Sequence, residues 1–345
     1  MKTFHVGIWL LVFVCLAVLG DLIWHVGRTY IPSENDSSDK IHNRETVRKI
    51  ISENWCPCRQ QSSNSRHLIW RQKHVSGRTV LSRKKLASRI IVSEKLKLVY
   101  CPIPKAASST WKYLIRQQEG IEDYWNLTAA NSPTTSGLKY LVDYPSEELE
   151  RILTSPEYFK FTFVRNPYTR MLSCYLDKFQ NKKKESSEYK KFMGHLLGWW
   201  DENVFENYSL SSEEKNFMKK HKFQNKILKG PRPSFSQFVR TVTRQKRDRM
   251  NEHWAPQWHI CGMDIIPYDF VGKLEHLEED AQVILSWIGN SSSVHLPASE
   301  EIGFPSTESR VLEDAFLDIN LMFLIRKAFA PDFKIFGYNF VHGNI

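Results

Sequence analysis

Between Cys101 and Leu114 the chain has no glycine, although a strand-like run gives way there to the turn Pro104-Lys-Ala-Ala-Ser-Ser-Thr110. That absence excludes the nucleotide loop Gly-x-x-x-x-Gly-Lys-Ser/Thr, whose glycines let backbone amides wrap a phosphate chain. The aspartates and asparagine of the protein-kinase set are missing too. No segment repeats, which removes solenoids and propellers. Cys56-Pro-Cys58 is a close cysteine pair with no second close pair, so a paired zinc site has only half its ligands.

What is present is enough for a folded body. The 345 residues, 41% of them hydrophobic, allow one large domain or two ordinary ones around a real core. A formal charge of +10, from 48 Lys and Arg against 38 Asp and Glu, favours an anionic partner: nucleic acid, an acidic lipid surface or an acidic polysaccharide.

The N-terminus narrows that choice. Val6 to Gly20 is an uncharged apolar run, continued past Asp21 by Leu22, Ile23 and Trp24. It directs the chain into the secretory pathway, either as an uncleaved signal-anchor over 6–24 behind a cytosolic tail of 1–5, or as a signal peptide cut after Gly20 to give a secreted product. The anchor is the preferred reading, with Lys2 holding the short N-terminus in the cytosol and Arg28 beyond the run weakening that bias. Acceptor triplets for N-glycosylation at Asn35, Asn126, Asn207 and Asn290 agree with a luminal body and argue against nucleic acid as the partner. Outside the apolar run with its Cys15, the cysteines Cys56, Cys58, Cys101, Cys174 and Cys261 are odd in number. At most two disulfides form within the chain, their pairing open, and one thiol is left over.

Residues 25–90, rich in Ser, Asn, Arg and Lys, have the composition of a stem, and 91–345 form the folded domain. Leu96, Leu98 and Tyr100 alternate with Lys95, Lys97 and Val99 in a strand, and a helix follows from Trp111 with Gly120 as its stop. The unit repeats in kind. Phe159, Phe161 and Phe163 alternate, Arg165-Asn-Pro167 breaks the strand, and Met171, Leu172, Tyr175 and Phe179 recur at helical spacing. Residues 181–222 read as an exposed helical stretch, Tyr268 to Gly272 as a short strand, and Glu278 to Ile288 as a helix ended by Gly289. The fold class is therefore α/β, and two strands each deliver a cation to the carboxyl edge of a sheet, where such folds bind ligands.

A lysine, three hydroxyls and a helix N-terminus at one corner suit an anionic ester. A sulfuryl group carries less charge than a phosphoryl group, so these donors can stabilise its transfer with no metal. Pro104, Lys105, Ala106, Ala107, Ser108, Ser109 and Thr110, followed by Trp111, resemble the 5′-phosphosulfate loop of carbohydrate sulfotransferases. Arg165, Asn166, Pro167, Tyr168, Thr169, Arg170, Met171, Leu172 and Ser173 resemble their 3′-phosphate loop. Asn251-Glu-His-Trp-Ala-Pro256, Cys261 and Tyr268-Asp-Phe-Val-Gly-Lys-Leu-Glu275 are similar to the signature of the branch that holds the chondroitin and dermatan 4-O-sulfotransferases.

The resemblance implies a P-loop-like three-layer α/β fold with a central, mostly parallel sheet. It also implies 3′-phosphoadenosine 5′-phosphosulfate as donor, an acidic glycosaminoglycan such as chondroitin as acceptor, and a single-pass type II protein of the Golgi membrane with its catalytic domain in the lumen. In that pattern Lys105 meets the phosphosulfate bridge, Ser108, Ser109 and Thr110 hold the 5′-phosphate, and Arg165 and Ser173 hold the 3′-phosphate. His253 is the candidate general base and Glu252 its rival, with a buried structural histidine as the plainer alternative. Glu275 either orients a site lysine or pairs on the surface. Two positions depart from the pattern. Asn166 stands where Asp is usual, and Cys261-Gly-Met-Asp264 lacks a second cysteine, which puts the family's local disulfide in question. The basic cluster Arg244 to Arg249 is either a polyanion contact or an ordinary solvated helix face. Acceptors on glycoprotein or glycolipid termini, a luminal kinase, and a catalytically silent glycan-binding module are the alternatives.

Overall fold

The computed structural model describes residues 75–197, 232–289, 296–297 and 319–338. The apolar run, Cys15, Cys56, Cys58 and the triplets at Asn35, Asn207 and Asn290 lie outside the described residues. Among the described residues no helix is long and apolar enough to cross a membrane.

In chain order the elements are α1 (Gly77–Ser82), α2 (Lys84–Ala87), β1 (Ile91–Ser93), β2 (Leu98–Cys101), α3 (Ser108–Glu119), α4 (Leu127–Ala130), β3 (Lys139–Tyr140), α5 (Ser146–Thr154), β4 (Phe159–Val164) and α6 (Pro167–Tyr175). After a π-turn at Leu176–Gln180 come α7 (Ser187–Leu197), α8 (Phe235–Val242), α9 (Gln257–Ile260), β5 (Phe270–Lys273), α10 (Leu277–Ile288), α11 (Ile319–Ala328) and α12 (Ala330–Ile335). The sheet order is β3-β1-β2-β4-β5. β2, β4 and β5 run parallel, whereas β1 is antiparallel to both of its neighbours. This is the mostly parallel α/β sheet expected from the two strand-to-helix units.

The strand read through Leu96 is in fact a hairpin. Lys97 takes a left-handed φ of 54°, and the Ser93 hydroxyl accepts the Leu96 amide at 3.0 Å. The turn pairs Ile91 with Tyr100. β2 and β4 are then central strands, buried at every position, as parallel strands covered on both faces are. The alternation of Phe159, Phe161 and Phe163 sorts one face of β4, where Phe161 stacks on Tyr100 at 4.7 Å and meets Trp111 at 5.0 Å. Phe159 stacks on Trp287 at 4.9 Å. Gly272 is required opposite this layer, because a Cβ there would sit 2.4 Å from the Phe163 ring.

The other face of β4 carries Lys160 and Thr162. Lys160 is buried but satisfied, with Nζ 2.8 Å from Asp269 Oδ2 and donating to the Tyr158 carbonyl at 2.9 Å. Thr162 donates to the Cys101 carbonyl at 2.8 Å. Neither leaves an orphaned polar group, which is what lets a polar strand face be buried.

Part of the stretch read as a stem is folded. α1 and α2 fall inside the stretch read as a stem, yet Val80 and Ala87 are fully buried. The Gly77 amide donates to Glu150 Oε2 at 3.1 Å, tying α1 to α5. Helices this short offer too few apolar repeats for a periodicity to show. α3 starts at Ser108 instead of Trp111, and both α3 and α10 stop at glycines in the left-handed conformation, Gly120 and Gly289, as expected. Of the helical stretch read over 181–222, α7 realises 187–197, and 198–222 lies outside the described residues. Arg244 to Arg249 is no helix face, since α8 ends at Val242 and only a short 3-10 turn, Arg247–Arg249, follows.

Cys101, at the end of β2, forms a disulfide with Cys261, across a sequence separation of 160. Cys174 is a buried free thiol. The bridge fastens the segment behind Asn251 to the sheet edge. Cys261→Ser should lower the unfolding free energy by about 2–5 kcal/mol, because a long loop in the unfolded chain is released. Denaturant melts of the two proteins under non-reducing conditions measure the difference.

Candidate active site

The corner after β2 is strained by design of its sequence. Lys105 and Ala107 take φ values of 70° and 57°, a region that costs a non-glycine residue about 1–2 kcal/mol. The strain is held in place from outside. The Ala106 amide donates to the Ile103 carbonyl at 3.1 Å, the Ala106 methyl is fully buried, and Arg170 Nε donates to the Pro104 carbonyl at 3.0 Å. Ala107 is the N-cap of α3 and has no side chain to cap with. The first amides of α3, from Ser108, Ser109 and Thr110, are thereby left to an incoming anion.

The second corner follows β4. Asn166 caps α6 by accepting the Tyr168 amide at 2.9 Å, which does the capping work of the usual Asp without its charge. Arg165 is fixed through its backbone: its amide donates to Gln257 Oε1 at 2.9 Å and its carbonyl accepts from Gln257 Nε2 at 2.8 Å. Its Nε donates to Thr169 Oγ1 at 3.1 Å, and Nη1 lies 3.5 Å from the Lys105 carbonyl, which joins the two corners. Among the described residues no carboxylate lies within ion-pair distance of Arg165. Burial lowers its pKa, with Glu275 and Tyr338 opposing. A half-buried guanidinium without a counter-ion suits a phosphate.

Within the second loop the side chains divide. The side chains of Pro167, Arg170, Met171 and Leu172 are buried and face the core, where they shape the loop. Thr169 is spent on Arg165 and the Asn166 carbonyl. Ser173 is half-buried in the second turn of α6.

Arg170, only 3% exposed, also donates to the Ala255 and Glu252 carbonyls, each at 2.8 Å. It carries the third motif into the same place. There the His253 amide donates to Asn251 Oδ1 at 3.0 Å, and the ring Nδ1 lies 2.8 Å from that same oxygen. An atom that accepts an amide proton is an acceptor, so Nδ1 holds the hydrogen and Nε2 keeps its lone pair. Burial pushes the imidazolium of His253 well below its ordinary range; Glu252 opposes this, and Lys178, Lys105 and Arg170 reinforce it. His253 is neutral at physiological pH. Glu252, by contrast, pairs with Arg89 at 2.5 Å. Burial raises its pKa, but Arg89, through its charge and its hydrogen bond, and Lys112 outweigh that and hold the carboxyl below the usual range. A carboxylate so engaged is a poor base.

Glu275 takes neither role foreseen for it. It accepts the Asn166 amide at 2.7 Å and the Tyr338 hydroxyl at 2.9 Å, bracing the second corner. Trp254 is fully buried, its Nε1 donating to Gln245 Oε1 at 2.8 Å, and so packs instead of stacking on a ligand. Arg244, Lys246, Arg247 and Arg249 are exposed beside this segment.

The sequence is similar to the sulfotransferase family over residues 88–339. The chain belongs to the sulfotransferase family. Relatives include carbohydrate sulfotransferase 14 of Danio rerio, 30% identical over 307 residues, 88% of this chain and 72% of that protein. The Homo sapiens protein of the same name is 30% identical over 262 residues, 74% of this chain and 61% of the relative. Carbohydrate sulfotransferase 11 of Mus musculus is 30% identical over 246 residues, 70% of this chain and 61% of that protein. For the two mammalian relatives the match is thus under two thirds of their own length. No solved structure matches the chain.

Four side chains at the site escaped the sequence reading: Gln257, Asp332, Arg89 and Asp177. Gln257 adjoins the Asn251 to Pro256 signature, but nothing in the sequence links it to Arg165. Asp332, on α12, accepts the amides of Gln257 and Trp258 at 2.8 and 3.0 Å, anchoring α9. Burial pushes its carboxyl up to about 6, against the amides and Arg170. In the unfolded chain Asp332 ionises near pH 4, whereas in the native state it keeps its proton until about pH 6. Its contribution to stability is therefore largest below pH 4 and falls as pH rises to 6, by on the order of 2–3 kcal/mol. Asp332→Asn should flatten the stability profile between pH 4 and pH 6, as urea melts at pH 4.5 and pH 7 will show.

Proposed function

We propose that this protein transfers a sulfuryl group from 3′-phosphoadenosine 5′-phosphosulfate to a hydroxyl of a glycosaminoglycan, the 4-position of N-acetylgalactosamine in chondroitin being the first acceptor to try. The observation that carries the reading is the convergence, at one sheet edge, of an uncapped helix N-terminus, an arginine and a neutral histidine, the arginine without a counter-ion and the histidine Nε2 without a partner among the described residues. The relatives named carbohydrate sulfotransferase support a sugar as acceptor.

The residues fit the donor. Amides and hydroxyls of Ser108, Ser109 and Thr110 would hold its 5′-phosphate, and Arg165 with Ser173 its 3′-phosphate. Bound there, the donor supplies an activated sulfuryl group and leaves as adenosine 3′,5′-bisphosphate. Lys105 places a cation where charge develops on the departing nucleotide. His253 Nε2 takes the proton of the acceptor hydroxyl, which makes the oxygen nucleophilic. The exposed cluster Arg244 to Arg249 lies next in sequence to His253 and gives an acidic polymer a cationic approach.

The reading includes a Golgi membrane location through a 6–24 anchor, and N-glycosylation at Asn126. That asparagine is exposed, with its side-chain oxygen capping α4 and its nitrogen donating to Asp123 at 3.1 Å.

The test is transfer of radiolabelled sulfate from the donor to desulfated chondroitin by the full chain. Label is expected in the polymer, at the 4-position on disaccharide analysis. Lys105→Ala should abolish it, and His253→Ala should cut kcat by about 10²–10⁴-fold while nucleotide binding survives. Wild-type activity should hold down to a pH below the ordinary imidazole range, because His253 takes up a proton only there. No label on chondroitin by a folded protein that binds the bisphosphate would refute the acceptor; label with glycoprotein sugars instead would reassign it.

A further inference from the structure

Lys105 has a partner that the donor-site motifs do not include. Its Nζ lies 2.5 Å from Oδ2 of Asp177, a residue of the π-turn that follows α6. π-turns are rare, and they gather at functional sites because the widened turn re-aims the side chains it carries. Asp177 is itself held. Lys178 Nζ lies 3.1 Å from the same oxygen and 2.9 Å from Glu188 on α7. Lys182 bridges Asp177 and Glu188 at 3.9 and 2.8 Å. The Lys178 ammonium sits 4.7 Å over the Phe192 ring, and that ring meets His253 edge-on, also at 4.7 Å. Contacts thus run without a break from Lys105 through Asp177 and Lys178 to the candidate base.

We propose that Asp177 is a positioning residue for transfer, its carboxylate fixing the Lys105 ammonium at the mouth of the donor loop. The inference rests on Lys105 being the cation that meets the donor. A lysine ammonium is a point charge on a flexible four-carbon stem. The strained backbone of Lys105 aims the stem, and only a partner at the far end can fix the charge.

The electrostatics agree with this geometry. Burial lowers the pKa of Lys105, while Asp177 opposes that fall. The other groups that face Lys105 do not replace Asp177. Lys178 repels it, Cys174 is a thiol pushed up to about 12 by burial, His253 is neutral, and Arg165 is a cation at its carbonyl. Burial raises the Asp177 pKa, but Lys105 and Lys178 outweigh it, so the carboxylate stays charged.

Asp177 should therefore affect binding and turnover in opposite senses. It helps the cation, yet it puts a negative charge beside a site for anions. A residue that merely supports the fold would weaken both.

The experiment compares wild type, Asp177→Asn, Asp177→Glu and Lys105→Ala as full chains. Calorimetry measures their affinity for adenosine 3′,5′-bisphosphate between pH 6 and pH 10, and kinetics give kcat and KM for the donor. In Asp177→Asn, bisphosphate affinity at neutral pH is expected to equal or exceed that of wild type. Its loss on the alkaline side should begin about one pH unit or more lower, because Lys105 gives up its proton sooner. kcat should fall about 10- to 100-fold through loss of aim. Asp177→Glu keeps the charge but moves it, so it should restore the alkaline limb and leave kcat reduced.

An Asn variant with an unshifted alkaline limb and normal kcat would overturn the proposal. So would one that loses bisphosphate affinity equally at every pH. If the Asn variant does not fold, Asp177→Glu decides, and a normal kcat there sinks the positioning role. Lys105→Ala with intact binding and transfer would instead remove the donor-site reading of Lys105 itself, an outcome separable from failure at Asp177.

Discussion

The buried guanidinium of Arg170 is the joint on which this site depends. Its donors end on the carbonyls of Pro104, Glu252 and Ala255, so the loop after β2, the first turns of α6 and the segment of His253 cannot move independently. A guanidinium suits the task because its planar fork offers several donors in fixed directions, whereas an ammonium would satisfy them only by swinging. The cost is a desolvated cation, and burial brings its pKa down to about 10. It remains charged at neutral pH, and three carbonyl dipoles replace its water.

Two further devices turn that joint into a site. The Cys101–Cys261 bridge fastens the far end of the third motif to β2, and the Gln257 amide reads both backbone groups of Arg165. Held this way, the corner can tolerate left-handed Lys105 and Ala107, a conformation that usually falls to glycine. The strain is local and its supports are distributed, which is the usual arrangement where a backbone must present its amides.

Charge is divided unevenly between the two cations of the donor corner. Arg165 faces the site with no counter-ion among the described residues, while Lys105 is already paired with Asp177. The guanidinium keeps its charge available, whereas the ammonium has its charge balanced at the far end of its stem. His253 completes the division as an uncharged group, its hydrogen fixed on the side away from its open nitrogen.

The sequence by itself determined the layers and the corners. Fully apolar β2, the Phe alternation of β4, the Arg165-Asn-Pro break and the glycine stops at Gly120 and Gly289 act through local sterics and burial, which read directly from residue order. The three motifs were likewise legible, since each lies in one short stretch. What only the tertiary structure decided is how those stretches are held and which groups are spent. Asp177 against Lys105, Gln257 against Arg165 and Asp332 beneath α9 join residues 72, 92 and 75 positions apart. The same holds for Glu275, which braces Asn166 instead of pairing with a lysine, and for the hairpin and early helices that composition had smoothed into one strand and a stem. Hydrogen bonds and ion pairs depend on distance and direction in three dimensions, and no spacing along the chain encodes either until the sheet has brought its edges together.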